Sequence, residues 1–251
     1  EHDHNPPHFR LALEKKPDFS AWQEPDGAGM HGFKSHVIAR ETLAANLAIA
    51  YGMVSLMDKH IGRILDRLEA LGLADNTLVV FTTDHGDLFG QHGLIHKGPF
   101  HYEDMIRIPF VVRMPGRIPA GRRSAALQSL VDLAPTFLSA AGLSAVRGMT
   151  GVDQREVWFG RRERAREWAI VENHHQPTTI HAKTYVEDRH KITVYCGRDY
   201  GELFDLRDDP GERHNLWDAP DRAGLKADLI RRMLHAEMAK EPMWMPRVTG
   251  A

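Results

Sequence analysis

Cysteine is almost missing from this 251-residue chain, with Cys196 its only example. No disulfide can close within the chain, so nothing reads as the stapled framework of a small secreted domain. Long hydrophobic runs are missing too. None approaches the ~18 residues that a membrane-crossing helix needs. Neither sign of charge is in excess: 32 basic residues stand against 34 acidic ones, for a net charge of −2. That balance points away from nucleic acid and from an anionic membrane as partners. Internal repeats and low-complexity linkers are absent. The chain starts at Glu1 rather than Met, and no signal-peptide pattern follows. The start reads as the interior of a longer protein, which leaves the compartment open, a cytoplasmic location being favoured over a periplasmic one.

What remains is the composition of a globular domain, 42% hydrophobic and 26% charged. The length suits one large domain or a domain with a small appendage. Residues 1–36 are rich in His, Pro, Gly and charge and read as irregular, with a short helical turn over residues 9–14. His2, His4 and His8 could suggest a metal cluster, but a polar loop whose histidines lack a fixed partner accounts for them. From residue 39 to 71 the pattern changes. Leu43, Leu47, Tyr51, Val54, Ile61, Ile64, Leu65, Leu68 and Leu71 recur at three- and four-residue steps, predicting one long helix whose apolar face belongs to the core. Gly72 falls where a helix C-cap would be, and Gly52 marks a break or a close approach.

Residues 77–83 and 108–112 are short, continuously apolar and rich in Val, Ile and Phe, as suits central strands covered on both faces. Residues 126–143 predict a second core helix, with Pro135 in its first turn. Beyond a boundary near residues 145–167, short strands are expected over 168–172, 178–187 and 191–195, the last two joined through Asp188-Arg189-His190 as an antiparallel hairpin. A strand edge and turn follow at 201–211, and a final amphipathic helix runs from about 221 to 239. Met233, Met238, Met243, Met245 and Trp244 are expected to pack on the core or on a subunit neighbour, and a homo-oligomer stays open.

The chemistry concentrates behind the first apolar strand. Ligands sit beyond the carboxyl ends of strands in open α/β sheets, and Asp84-His85 occupy that position, with Gly86 allowing a sharp turn. A carboxylate oxygen and an imidazole nitrogen are competent ligands for a divalent cation. Lys97 follows across a loop holding Gly90, Gly93 and Gly98, and its ammonium would bind an anionic oxygen. An isolated Asp-His-Gly after a strand is usually only a turn; strand, pair, glycine loop, lysine and second strand in order make a site.

These residues resemble the sulfatases of the alkaline phosphatase superfamily. The likeness runs through Leu78-Val-Val-Phe-Thr-Thr-Asp-His-Gly-Asp-Leu-Phe-Gly-Gln-His-Gly-Leu94, Lys97, residues 102–116, and Leu130-Val-Asp-Leu-Ala-Pro-Thr-Phe-Leu-Ser-Ala-Ala-Gly142. It resumes at Gly201-Glu-Leu-Phe-Asp-Leu-Arg-Asp-Asp-Pro-Gly-Glu212 and Asn215-Leu216. The resemblance implies an alkaline-phosphatase-like α/β sandwich with a largely parallel central sheet, present in part, and a small C-terminal antiparallel subdomain with a terminal helix. Residues 1–150 would be the C-terminal part of the catalytic domain and 151–251 the smaller subdomain.

The resemblance further implies hydrolysis of a small-molecule or saccharide sulfate ester, with a phosphonate monoester or phosphodiester hydrolase, or a non-catalytic anion-binding remnant, as alternatives. Asp84 and His85 would bind a divalent cation, Ca²⁺ foremost and Mn²⁺ or Zn²⁺ otherwise. Lys97 would hold the sulfate or the leaving-group charge, and this fragment alone would be inactive. The family nucleophile is a hydrated formylglycine made from a cysteine in a Cys-x-Pro-Ser-Arg type of segment. Here the sequence departs from the pattern: Cys196 is followed by Gly197-Arg198-Asp199-Tyr200 and reads as a hairpin residue. The family's paired N-terminal aspartates are absent as well, and two ligands cannot satisfy a cation that takes about four to eight. Glu172-Asn173-His174-His175 could line the pocket rim, with His174 and His175 as candidate substrate contacts. A solvated loop explains them equally. Arg107 could approach the anion or pair with Glu103 or Asp104.

Overall fold

A four-stranded antiparallel sheet separates the two buried cores of this chain, and each core takes one face of it. The computed structural model describes residues 6–12, 14, 16, 18, 38–174 and 180–240. In chain order the helices are α1 (Pro7–Ala12), α2 (Arg40–Ala70), α3 (Glu103–Ile106), α4 (Leu133–Ala140), α5 (Arg155–Trp158) and α6 (Ala223–Lys240). The strands are β1 (Val79–Thr82), β2 (Leu88–Phe89), β3 (Ile95–His96), β4 (Phe110–Arg113), β5 (Ala169–His174), β6 (His181–Val186), β7 (His190–Tyr195) and β8 (Gly201–Asp205). No described helix is long and apolar enough to cross a membrane.

Strands β5 to β8 pair in sequence order, every neighbour antiparallel, with Glu187 and His190 closing the expected hairpin between β6 and β7. Side chains alternate across a strand, and here that alternation divides two different cores. Tyr185, Ile192 and Leu203 point to α6, where Leu229, Met233 and Ala236 meet them. Ala182, Tyr195 and Phe204 point the other way, onto Phe9, Leu88, Leu94, Phe100, Tyr102 and Met105. Burying one such large apolar side chain is worth ~1.5–3 kcal/mol, so this second contact fixes the segment 88–105 against the sheet. The sheet and α6 lie within 151–251, and the segment they hold lies before it. Of the expected methionine contacts, Met233 is buried, Met238 is exposed, and Met243, Trp244 and Met245 lie outside the described residues.

The signature residues of the last strand act on its open edge. Asn215 Oδ1 accepts the backbone N–H groups of Leu203 and Trp217 at 2.9 and 3.0 Å, and its amide donates to the Gly201 carbonyl at 2.9 Å. One side chain thereby satisfies backbone groups of β8 that have no further strand to pair with.

Four expectations change. Helix α2 runs unbroken through Gly52, so that glycine marks no break, and among the described residues an added Cβ there would meet nothing. It buries no residue: Tyr51, Val54 and Ile64 are all exposed. Its apolar stripe is real, but the surface that would cover it is not among the described residues. Strands β1 and β4 do form, yet they pair antiparallel with each other, and Val111 is 58% exposed. The expected covering on both faces is not seen among the described residues, and a continuous apolar run does not report strand direction. The second core helix is shorter than expected: a 3₁₀ turn over Leu130–Asp132 leads into α4, with Pro135 buried in the first turn.

The C-terminal end of α2 follows the reading, and α4 closes in the same way. Gly72 (φ 67°) and Gly142 (φ 76°) both adopt the left-handed conformation just past α2 and α4. At each end the next residue's N–H bonds back to the turn, Leu73 to Leu68 and Leu143 to Leu138, which is how an αL cap closes a helix. The short N-terminal turn also forms, as α1. His2 and His4 lie outside the described residues, as does the side chain of His8.

Candidate active site

Strand β1 delivers Asp84 and His85 into a crevice also lined by Lys97, His101, Arg107 and Asn173. The turn is set by contact rather than by a special backbone angle. The Gly86 N–H donates to the Met105 carbonyl at 2.8 Å, and a Cβ on Gly86 would sit 1.8 Å from the Asp104 carbonyl oxygen. Gly86 is absent from the positive-φ residues. Its glycine is needed for close approach, so the reading of a sharp turn is corrected. Lys97 returns through a hairpin in which Leu88 faces His96 and Phe89 faces Ile95. Gly90 (φ 102°) and Gly93 (φ 73°) turn it, and His92 and His96 also take positive φ.

The three expected side chains meet. Lys97 Nζ lies 3.4 Å from His85 Nε2, and Asp84 Oδ2 lies 3.6 Å from the same nitrogen. His85 Nδ1 is 2.7 Å from the Gly86 carbonyl oxygen. A carbonyl only accepts, so Nδ1 carries the proton and Nε2 presents its lone pair. Asp84 Oδ1 accepts from the Thr83 hydroxyl at 3.1 Å and from the His85 backbone N–H at 3.0 Å. The Thr83 hydroxyl first, then the backbone N–H groups, hold the Asp84 carboxyl below the usual carboxylate range. Oδ2 therefore stays ionised and open, on a side chain 81% exposed.

The donor set fits part of a cation site. A carboxylate oxygen and a neutral imidazole nitrogen 3.6 Å apart can both reach one cation at ~2.0–2.6 Å. Among the described residues no group of three or more His, Cys, Asp or Glu could hold a metal. This chain offers two ligands and not a whole shell. Cys196 does not fit the nucleophile: it is exposed at the end of β7, beside Gly197 in the left-handed conformation, as a hairpin residue should be.

The remaining expectations divide. Arg107 lines the crevice with Lys97 and does not pair with its neighbours, because Glu103 turns to Lys191 and Asp104 approaches His92. Glu172 is tied to Lys183 and Lys240 at 2.8 and 3.0 Å. His174 is exposed, stacks on His181 with ring centroids 4.4 Å apart, and is not among the residues lining the crevice. His175 lies outside the described residues. Sequence reading missed His101, whose ring is buried and bonded to the Thr184 hydroxyl at 2.7 Å. Burial, then the Lys191 charge, lower its pKa to about 4, so the imidazole is neutral. Only its place four residues beyond Lys97 could have marked it.

The fold is that of an alkaline-phosphatase-like α/β domain. The sequence model of the family described as Sulfatase matches residues 4–143, and that described as N-sulphoglucosamine sulphohydrolase, C-terminal, matches residues 90–239. The chain belongs to the sulfatase family. It is 31% identical over 229 residues to the N-acetylglucosamine-6-O-sulfatase of Bacteroides thetaiotaomicron, covering 88% of this chain and 38% of that protein. A solved structure described as a complex with its substrate, D-glucosamine-2-N,6-O-disulfate, is similar with a TM-score of 0.70 and 29% identity, over 74% of this chain and 39% of that one. The phosphonate monoester hydrolase of Silicibacter pomeroyi is similar with a TM-score of 0.75 and 25% identity, over 82% and 43%. The chain spans about two fifths of the length of the curated relatives it matches.

Proposed function

We propose that the full-length protein hydrolyses a sulfate ester and that this chain supplies half of its active site. The observation that carries this is the meeting of Asp84 Oδ2, His85 Nε2 and Lys97 Nζ among the residues lining the crevice. Asp84 and His85 would hold a divalent cation, for which Ca²⁺ is the first candidate and Mn²⁺ or Zn²⁺ the alternatives. Such a cation, when bound, polarises the ester and steadies the nucleophile. The Gly86 carbonyl keeps the proton on Nδ1, so Nε2 would be the ligating nitrogen once Lys97 turns away from it. Lys97 is exposed on a flexible stem and places a positive charge against the sulfate or the departing oxygen. Cys196 cannot supply the formylglycine, which belongs to the other half of the site. We place the catalytic part in residues 1–150 and the smaller subdomain in 151–251.

A saccharide sulfate is the favoured substrate class, supported by relatives described as acting on or holding glucosamine sulfates. Phosphonate monoester hydrolysis is the second reading, supported by the structural likeness to such an enzyme. The two are separated by turnover of the full-length protein on an aryl sulfate, glucosamine 6-sulfate and an aryl phosphonate monoester, each with and without a chelator. Chelator-sensitive release of sulfate as the fastest reaction supports the first reading. Faster phosphonate cleavage replaces it with the second. No turnover on any of the three, in a fully metal-loaded protein, favours an anion-binding remnant.

A further inference from the structure

The face of the four-stranded sheet that meets residues 88–105 is not purely apolar. It carries Thr184, Lys191, Thr193, Tyr195 and Glu202, all buried. Lys191 is 1% exposed, and its ammonium donates to the His101 carbonyl at 2.8 Å and pairs with Glu103 at 3.3 Å and with Glu212. Glu212 Oε2 accepts the Glu103 backbone N–H at 2.6 Å. Glu212 is a buried, non-glycine residue held at φ 52°, a conformation that persists only where the surroundings impose it. Burial is the first cause that raises its carboxyl, to about 6.

Replacing a buried ion pair by well-packed apolar residues is often neutral or stabilising, so such a pair is weak evidence of a stability role. Its contacts indicate another one. Both ends of the pair grip backbone at His101 and Glu103, in the segment just after Lys97. Two residues further on, the Met105 carbonyl takes the Gly86 N–H, beside His85. On the reading of the site proposed above, we infer that Lys191 and Glu212 are positioning residues: a buried clamp through which the C-terminal sheet sets Lys97 and the Asp84-His85 turn. This gives the Asp-Pro-Gly-Glu212 signature a purpose in catalysis. It lies away from the site and holds the backbone beside the residues that would meet the substrate.

The test uses the full-length protein with both charges removed together, Lys191→Met with Glu212→Leu, so that neither is left buried alone. Leu229→Ala serves as a control destabilised from the opposite face of the sheet. A second variant, Glu212→Gln, keeps an acceptor for the Glu103 N–H. Hydrogen exchange and kinetics are read well below each variant's melting temperature. The clamp predicts faster exchange at Gly86 and Met105 in the double variant and not in the control. It also predicts a fall in kcat on the order of 10²-fold with KM changing far less, as for slight misplacement of catalytic groups, and a smaller fall in Glu212→Gln. Unchanged exchange at both amides, or equal acceleration in the control, overturns the clamp whether or not the protein turns over sulfate esters. Absence of turnover in the unsubstituted protein sinks the functional reading alone, because the exchange comparison still decides the clamp. A double variant with full kcat also overturns it.

Discussion

The hydrogen bond between Lys97 Nζ and His85 Nε2, 3.4 Å long, can run only one way. The Gly86 carbonyl occupies the imidazole proton at Nδ1, so Nε2 accepts and the ammonium donates. The lone pair that Lys97 now covers is the one a cation would take. On the proposed function, cation and ammonium would compete for the same nitrogen, and a bound cation would free the ammonium for an anion.

Lys97→Ala in the full-length protein is expected to lower turnover at least ~10²-fold, as for loss of a preorganised charge at the oxyanion. Steady-state kinetics on a sulfate ester measures it. Rates like those of the parent would remove the lysine from the mechanism.

Asp84→Asn keeps the shape and removes the charge that Thr83 and the backbone hold ionised. Elemental analysis of the purified full-length protein should find reduced divalent-cation occupancy. Unchanged occupancy would contradict the ligand assignment.

Gly86→Ala forces a methyl into the Asp104 carbonyl. Overpacking of this kind costs on the order of 1–3 kcal/mol, and the strain falls on the turn carrying His85. The full-length variant should melt at lower temperature and lose activity even where it is folded. A thermal unfolding curve identical to that of the parent would show that the close approach is not kept in solution.

Glu202 lies buried with the Tyr195 hydroxyl 2.6 Å from its Oε2. Burial first raises its carboxyl from 4.5 to about 7. The folded state then binds the proton more tightly than the unfolded one, so stability from this group is full below pH 4.5 and is lost as pH rises through about 7. Glu202→Gln should therefore gain stability relative to the parent at pH 8 and lose that gain toward pH 4.5, in paired denaturant titrations. A difference independent of pH would place the effect elsewhere.

Helix α2 leaves Ile49, Tyr51, Met53, Val54 and Ile64 exposed. A surface of this kind on one element marks an interaction face or an aggregation hazard. The 251-residue chain made alone should bind a hydrophobic dye and unfold without a single sharp transition. A monomer with one cooperative transition would contradict that.

How much of this could be read from residues depends on distance along the chain. The order of apolar run, Asp84-His85, glycine loop and Lys97 is local, and an antiparallel hairpin joining Leu88 to His96 suffices to bring the lysine back. The caps at Gly72 and Gly142 are local too, since one residue at positive φ decides them. Long-range facts were not legible. Apolar runs at 77–83 and 108–112 gave strands without their direction, because an apolar run says nothing of which strand it pairs with. The stripe on α2 gave the helix without its cover. Nothing in the strand over 191–195 marks Lys191, and only the three-dimensional arrangement shows it buried against residues more than eighty positions away. His101 entered the crevice for the same reason.

The most direct test is a crystal structure of the full-length protein grown with Ca²⁺ and sulfate, with the cation located by its anomalous signal. The account predicts a cation bound by Asp84 and by His85 through Nε2, and a sulfate oxygen against Lys97. A cation elsewhere in the protein, with His85 Nε2 still covered by the lysine, would contradict it.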